Sequence, residues 1–146
     1  MSRPSLVPEL YVSNLDASLQ FYVDLLGFQV EYERKAEGFC CLSLDGAWLM
    51  LEQVSDRSPA SSHELAEGRW LTARLERPFG RGVNFEITVA DLASIVARFE
   101  ESGKQPLLTT HERVYEVDGF ARAFRVLLAS DPDGYLIRLS EPISRD

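Results

Sequence analysis

Two stretches of this chain repeat one another, and that repeat limits its fold more than any other feature. VPELYVSNLDASLQFYVDLLGF begins at Val7 and VNFEITVADLASIVARFEESG at Val83. An offset of 77 residues lays Val12-Ser13-Asn14-Leu15 on Val89-Ala90-Asp91-Leu92, Leu10 on Ile87, Leu19 on Val96 and Tyr22 on Phe99. It also brings Gly27 and Gly103 to within one residue of register. Each copy reads as a short alternating strand, a capping Asn or Asp, an amphipathic helix, and a glycine suited to a left-handed C-terminal turn. In the first helix Leu15, Leu19, Tyr22 and Leu26 have the spacing of one buried face. CLSLDGAWLMLE then alternates about Asp45-Gly46, a dipeptide suited to a type I′ hairpin. FRVLLASDPDGYLIRL repeats the theme about a longer turn, Asp131-Pro132-Asp133-Gly134.

With one further strand between helix and hairpin (28–34 in the first copy, 105–110 in the second), each copy is a βαβββ unit. The expectation is an α+β chain forming one domain of two tandem modules, at about 6–52 and 83–141, joined by a connection over 53–81. The first part of that connection, SDRSPASSHELAEGRW, is polar and is expected to be mobile, with packed chain from Trp70 onward.

Period-two alternation assigns the strand faces. Pro8, Leu10 and Val12 oppose Val7, Glu9 and Tyr11. Phe85, Ile87 and Val89 oppose Asn84, Glu86 and Thr88. Leu49 and Leu51 join the apolar set, which must lie under the helices, and Trp48, Met50 and Glu52 join the mixed set. In the last strand Ile137 and Leu139 are apolar-side, which leaves Arg138 and Ser140 on the mixed face. A cation in mid-strand is therefore expected to face a cleft. Glu9 and Glu86 are equivalent positions of the repeat.

Charge narrows the partners. With a formal net charge of −8, the surface lacks the basic character that nucleic acid or an anionic membrane requires. No apolar run approaches the ~20 residues of a membrane span, and no apolar segment of signal-peptide length opens the sequence. The two cysteines, Cys40 and Cys41, are adjacent and so point to opposite faces of a strand, a poor disulfide pair that suits a reducing compartment. A cytoplasmic protein is expected.

Sequence motifs of catalysis are missing. There is no G-x-S-x-G, P-loop, dinucleotide fingerprint or HExxH. Ser61-Ser62-His63 is not a catalytic pair, and Gly80-Arg81-Gly82 reads as a hinge before a strand. His63 and His111 are the only histidines, and both are expected in loops.

The paired modules, Val12-Ser13-Asn14-Leu15, Phe21-Tyr22, Leu26-Gly27-Phe28 and the ending DPDGYLIRLSE resemble the vicinal oxygen chelate superfamily. That group includes glyoxalase I, extradiol dioxygenases, fosfomycin-resistance enzymes and bleomycin-resistance proteins. The resemblance implies the glyoxalase/bleomycin-resistance fold, with mixed sheets forming a cleft and a dimer in which the N-terminal strand is exchanged. In metal-using members four cleft positions hold a divalent ion, two from each module. Carried over, these are Val7, Glu52, Asn84 and Arg138. Valine offers no donor, an amide is a weak ligand, and a guanidinium puts positive charge where the ion would sit. The expectation is no metal, no cofactor and no catalytic residue, with Arg138 pairing to Glu52 across the cleft.

The resemblance is nearest to the metal-free bleomycin-resistance proteins, homodimers that sequester cationic glycopeptide antibiotics. It implies a ligand of that type held by Glu9, Tyr11, Trp48, Met50, Glu52, Trp70, Asn84, Glu86, Phe120 and Arg138. The acids would attract the cationic tail, and Trp48, Trp70 and Phe120 would stack on its rings. Phe120 stands where that branch is expected to carry a tryptophan. A metal-dependent enzyme of the glyoxalase or dioxygenase kind with an altered metal site is the alternative.

Overall fold

The computed structural model describes residues 2–144 and realises the repeat as two modules of matching element order. The first runs β1 (Glu9–Val12), α1 (Leu15–Leu19) continuing as a π-helical stretch (Gln20–Leu25), β2 (Gln29–Arg34), β3 (Phe39–Leu44) and β4 (Ala47–Gln53). The second runs β5 (Asn84–Thr88), α3 (Leu92–Ser102), β6 (Leu108–Val117), β7 (Phe120–Ser130) and β8 (Leu136–Ile143). A short helix α2 (Ser62–Ala66) lies between them. The sheets are four-stranded and mixed, with orders β1-β4-β3-β2 and β5-β8-β7-β6. In each, the first strand pairs in parallel with the last, and the rest are antiparallel.

The apolar strand faces and both helices share one core. Leu10, Val12, Leu49 and Leu51 meet Ile87, Val89, Ile137 and Leu139 there, with Tyr22, Leu26, Ile95 and Phe99 from the helices. The helix-facing sides of the two sheets thus look inward and the mixed faces outward. The π-helical stretch departs from the regular helix expected. Its wider turn, with Leu26 N–H donating to Phe21 C=O at 3.1 Å, lets the adjacent Phe21 and Tyr22 both be buried.

The repeat extends to the polar contacts. Asn14 caps α1 through Ala17 N–H at 3.0 Å, and its equivalent Asp91 caps α3 through Ser94 N–H at 3.1 Å. Gln53 and Glu141, on equivalent strands, accept from Leu15 and Leu92 N–H, each at 2.8 Å. The hairpin turns also cross between modules. Asp133 accepts from Ser13 N–H at 3.0 Å and Asp45 from Ala90 N–H at 2.9 Å, so each module's turn holds the helix entry of the other.

The connection differs from expectation. Its polar part forms local structure of its own: Ser61 and Glu64 make a reciprocal capping box and Arg69 bridges Glu64 to the carbonyls of Asp56 and Ser58. Trp70 is not packed; it is 66% exposed, and Phe79 further on is the residue that enters the core. The strand expected at 105–110 is also longer, running to Val117. A type I′-like turn at Asp118-Gly119 (φ 52° and 80°) returns it as β7, so module 2 carries an extended two-stranded arm that module 1 lacks. Val114, Val117 and Phe120 are exposed on this arm.

Candidate functional site

The outward face of module 1 is built by alternation along three strands. Register sets Met50 between Glu9 and Cys41, and Glu52 between Tyr11 and Phe39. Phe39, Cys41 and Trp48 are buried together, with Val7 and Met50 packed on them. The expected stacking role of Trp48 does not hold: at 8% exposure it is a floor under the face, and its indole Nε1 finds no partner among the described residues. Tyr32 approaches Phe39 with ring centroids 5.9 Å apart, while the Arg34 guanidinium lies 3.8 Å from the Phe39 ring centroid. Tyr11 is buried and its hydroxyl accepts from Trp70 N–H at 2.9 Å.

Glu9 and Glu52 are both half-buried on this face. Burial raises the Glu9 carboxyl above the ordinary carboxylate range, and neighbouring Glu52 raises it further. Burial also raises Glu52, reinforced by Glu37 and opposed by Arg34. Burial pushes the Tyr11 phenol up as well. The Arg3 guanidinium reaches the same face, donating to Tyr32 Oη at 3.0 Å and lying 3.9 Å from Met50 Sδ. Two partly desolvated carboxylates thus share this face with the guanidinium groups of Arg3 and Arg34.

The outward face of module 2 is different in charge. Register places Glu86 beside Arg138, and Arg138 beside Leu128. The expected pairing of Arg138 with Glu52 is not what the fold makes. Arg138 Nε donates to Asn84 Oδ1 at 2.7 Å, and its Nη2 meets Glu86 Oε2 at 3.1 Å, both within its own module. Nor does His111 lie in a loop. It sits in β6, and a bulge between Leu108 and His111 turns both onto this face. With Arg113, Tyr115, Val126, Leu128 and Arg138 they line a cavity of about 230 Å³. His63 belongs to α2, 3.3 Å from Glu67.

Of the sequence-predicted residues, module 1 brings together Glu9, Tyr11, Trp48, Met50 and Glu52, and module 2 brings together Asn84, Glu86 and Arg138. Trp70 meets the first group through its backbone N–H, at the Tyr11 hydroxyl. Phe120 stands at the tip of the arm, 68% exposed. Phe39, His111, Arg113 and Tyr115 were missed. The signal was present in the alternation of THERVYEV, but the strand was expected to end at Thr110.

A metal ion does not fit the four positions carried over from the metal-using branch. Val7 has no donor, Asn84 Oδ1 is engaged by Arg138, and Arg138 is itself a cation. Among the described residues no three His, Cys, Asp or Glu side chains are grouped to hold one. Nor is any helix among the described residues long and apolar enough to cross a membrane.

The sequence model of the Glyoxalase/Bleomycin resistance protein/Dioxygenase superfamily matches residues 6–139. Among solved structures, the chain is similar to a glyoxalase/bleomycin resistance protein/dioxygenase superfamily member from Vibrio splendidus 12B01. Identity is 33% over 91% of this chain and 94% of that one, with a TM-score of 0.39. A protein from the mobile metagenome of V. Pseudocholerae is 20% identical over 99% and 98% of the two chains, with a TM-score of 0.63. A glyoxalase/bleomycin resistance protein/dioxygenase from Nocardioides is 19% identical over 100% and 88%, also with a TM-score of 0.63. The last two share the fold. No curated protein matches the chain.

Proposed function

The chain belongs to the glyoxalase/bleomycin resistance protein/dioxygenase superfamily, and from that premise we propose that it is a non-catalytic binder that sequesters a cationic, flat-ringed small molecule of the bleomycin type. The observation that carries this reading is the fate of the metal positions. Arg138 stands at one of them and is fixed by Asn84 and Glu86, so a guanidinium and its partners fill the space in which metal-using relatives do their chemistry. A family fold without that chemistry keeps its capacity to bind.

Charge and shape support a cationic ligand. Glu9 and Glu52 are held partly out of water, and Arg34 offsets that only in part, since both carboxyls stay raised. A cationic group entering there would recover the desolvation that the empty face sustains. Tyr32 offers an exposed ring beside the acids, and exposed Trp70 and Phe120 offer two more. Each outward face is open on one side, and a second copy would close it. The exposed apolar arm gives that copy a surface to cover, which makes the working unit of this proposal a homodimer.

Calorimetry with metal-free and copper-loaded bleomycin, beside metal analysis of the purified protein, tests the reading. Expected are saturable heat at one or two drugs per dimer, weakening with salt as exposed charges are screened beyond about 10 Å at ~0.1 M, and protection of plasmid DNA from drug cleavage. Absence of heat at high-micromolar protein, or one tightly held ion per chain lost on Glu52→Ala, overturns it.

A further inference from the structure

We propose that the outward face of module 2 binds an organic acid, a ring-bearing carboxylate, at Arg113. The inference rests on the preceding reading only in taking the outward faces as ligand-binding surfaces. It concerns the module opposite the acidic one.

The face has three properties that point to this class. The first is charge. In a chain of net charge −8, this cavity is lined by two arginines and a histidine. Arg138 is already matched, its Nε by Asn84 and its Nη2 by Glu86. Arg113 makes no ion pair with a carboxylate among the described residues, and its guanidinium carbon lies 5.6 Å from the Tyr115 ring centroid. A guanidinium lying along a ring keeps its N–H fork available to two oxygens, the geometry a carboxylate fits.

The second property is the floor. Leu108, Val126 and Leu128 are apolar, and Val126 is fully buried. A small hydrated ion gains nothing from such a surface, whereas a ring with an acid on its rim covers the floor and reaches the fork. The third is size. A cavity of about 150 Å³ accepts benzene, so the 230 Å³ here suits one substituted ring. On the module 1 face the half-buried groups are the acids Glu9 and Glu52, so the two faces differ in charge.

Methyl NMR titrations of the full chain with sodium benzoate, benzylamine and inorganic phosphate test this. Benzoate is expected to shift the Leu108, Val126 and Leu128 methyls saturably. Arg113→Gln should weaken it about tenfold or more, the scale of one lost charge-assisted contact, and Arg113→Lys should fall between. Arg74→Gln, which removes an exposed charge in the connection, should change nothing, and unshifted core methyls would show that each variant is folded. Benzoate binding unaffected by Arg113→Gln, no saturable shift of those methyls, or phosphate or benzylamine binding there as well as benzoate would overturn the proposal. Benzylamine is expected to shift the Met50 methyl on the other face. Its failure to do so, with benzoate still bound, would overturn the cationic reading and support the acid site alone.

Discussion

The Ser13 hydroxyl donates to the Asp133 carboxylate at 2.5 Å, across 120 positions of sequence. Ser13 opens the helix of module 1 and Asp133 lies in the last turn of module 2. Arg77 of the connection joins them, with Nη2 2.9 Å from Ser13 Oγ and 3.0 Å from Asp133 Oδ1. Its Nη1 also holds the Pro132 carbonyl at 2.8 Å. The turn that reads as a surface loop is therefore a clasp between modules. Its companion Asp131 is buried too, taking Tyr22 Oη–H at 2.8 Å and three backbone N–H groups at 2.9 Å each.

Asp133→Ala is expected to destabilise the fold by about 2–3 kcal/mol, because Asp133 is 1% exposed and its loss removes the bonds from Ser13 and Arg77 together. The equivalent contact from Asp45 is on an exposed turn, so Asp45→Ala should cost only about 0.5–2 kcal/mol, the range of a helix-entry cap. Urea denaturation reads both. Equal losses would refute the asymmetry.

Gly134→Ala should be more damaging than Gly119→Ala. Both glycines have positive φ, 103° and 80°. An added Cβ at Gly134 would lie 2.5 Å from Pro78 Cβ and 2.7 Å from its Cα, whereas at Gly119 it meets nothing within 4 Å. The second substitution should cost about 1–2 kcal/mol for the left-handed backbone alone, and the first clearly more. Thermal melts of the two variants decide it.

Stability and binding should part company at Glu9 and Glu52. Their folded pKa values are raised, chiefly by burial, so the folded state holds their protons more tightly than the unfolded chain does. Stability from these groups is then present at low pH and falls as pH rises from the ordinary carboxylate pKa through the raised folded value. Glu9→Gln and Glu52→Gln should each raise the melting temperature at pH 7 by about 1–3 °C, with no gain near pH 4, while weakening binding of a cationic ligand. A loss of stability at pH 7 would count against a face held ready for a cation.

Multi-angle light scattering is expected to give about twice the chain mass of 16.5 kDa at micromolar concentration. Val117→Asp with Phe120→Asp should return it to a single chain, since both side chains are exposed apolar groups on the arm. A monomeric parent, or a dimer indifferent to both charges, would remove the arm from the interface.

Much of the fold was legible in the chain. The 77-residue echo, the two caps Asn14 and Asp91, and the Asp45-Gly46 turn are local chemistry, and local chemistry is written in adjacent residues. Period two placed Glu9, Met50 and Glu52 on one face and Glu86 and Arg138 on another for the same reason, since alternation needs no knowledge of the partner strand. The length of β6 was only partly legible: THERVYEV alternates as a strand does, but where it ends is settled by the hydrogen bonds that β7 supplies.

By itself the sequence determined the two modules, their order, and which side of each strand carries the polar groups, because all of these follow from neighbours within a few residues. Only the tertiary structure decided who meets whom. It gave Arg138 to Asn84 and Glu86 rather than Glu52, buried Trp48 while leaving Trp70 in water, brought His111 and Arg113 to the cavity beside Arg138, and made Asp133 a clasp. Each of these depends on how the sheets are set back to back about one core. That packing is fixed by the summed burial of residues far apart in sequence, which no single stretch of it can state.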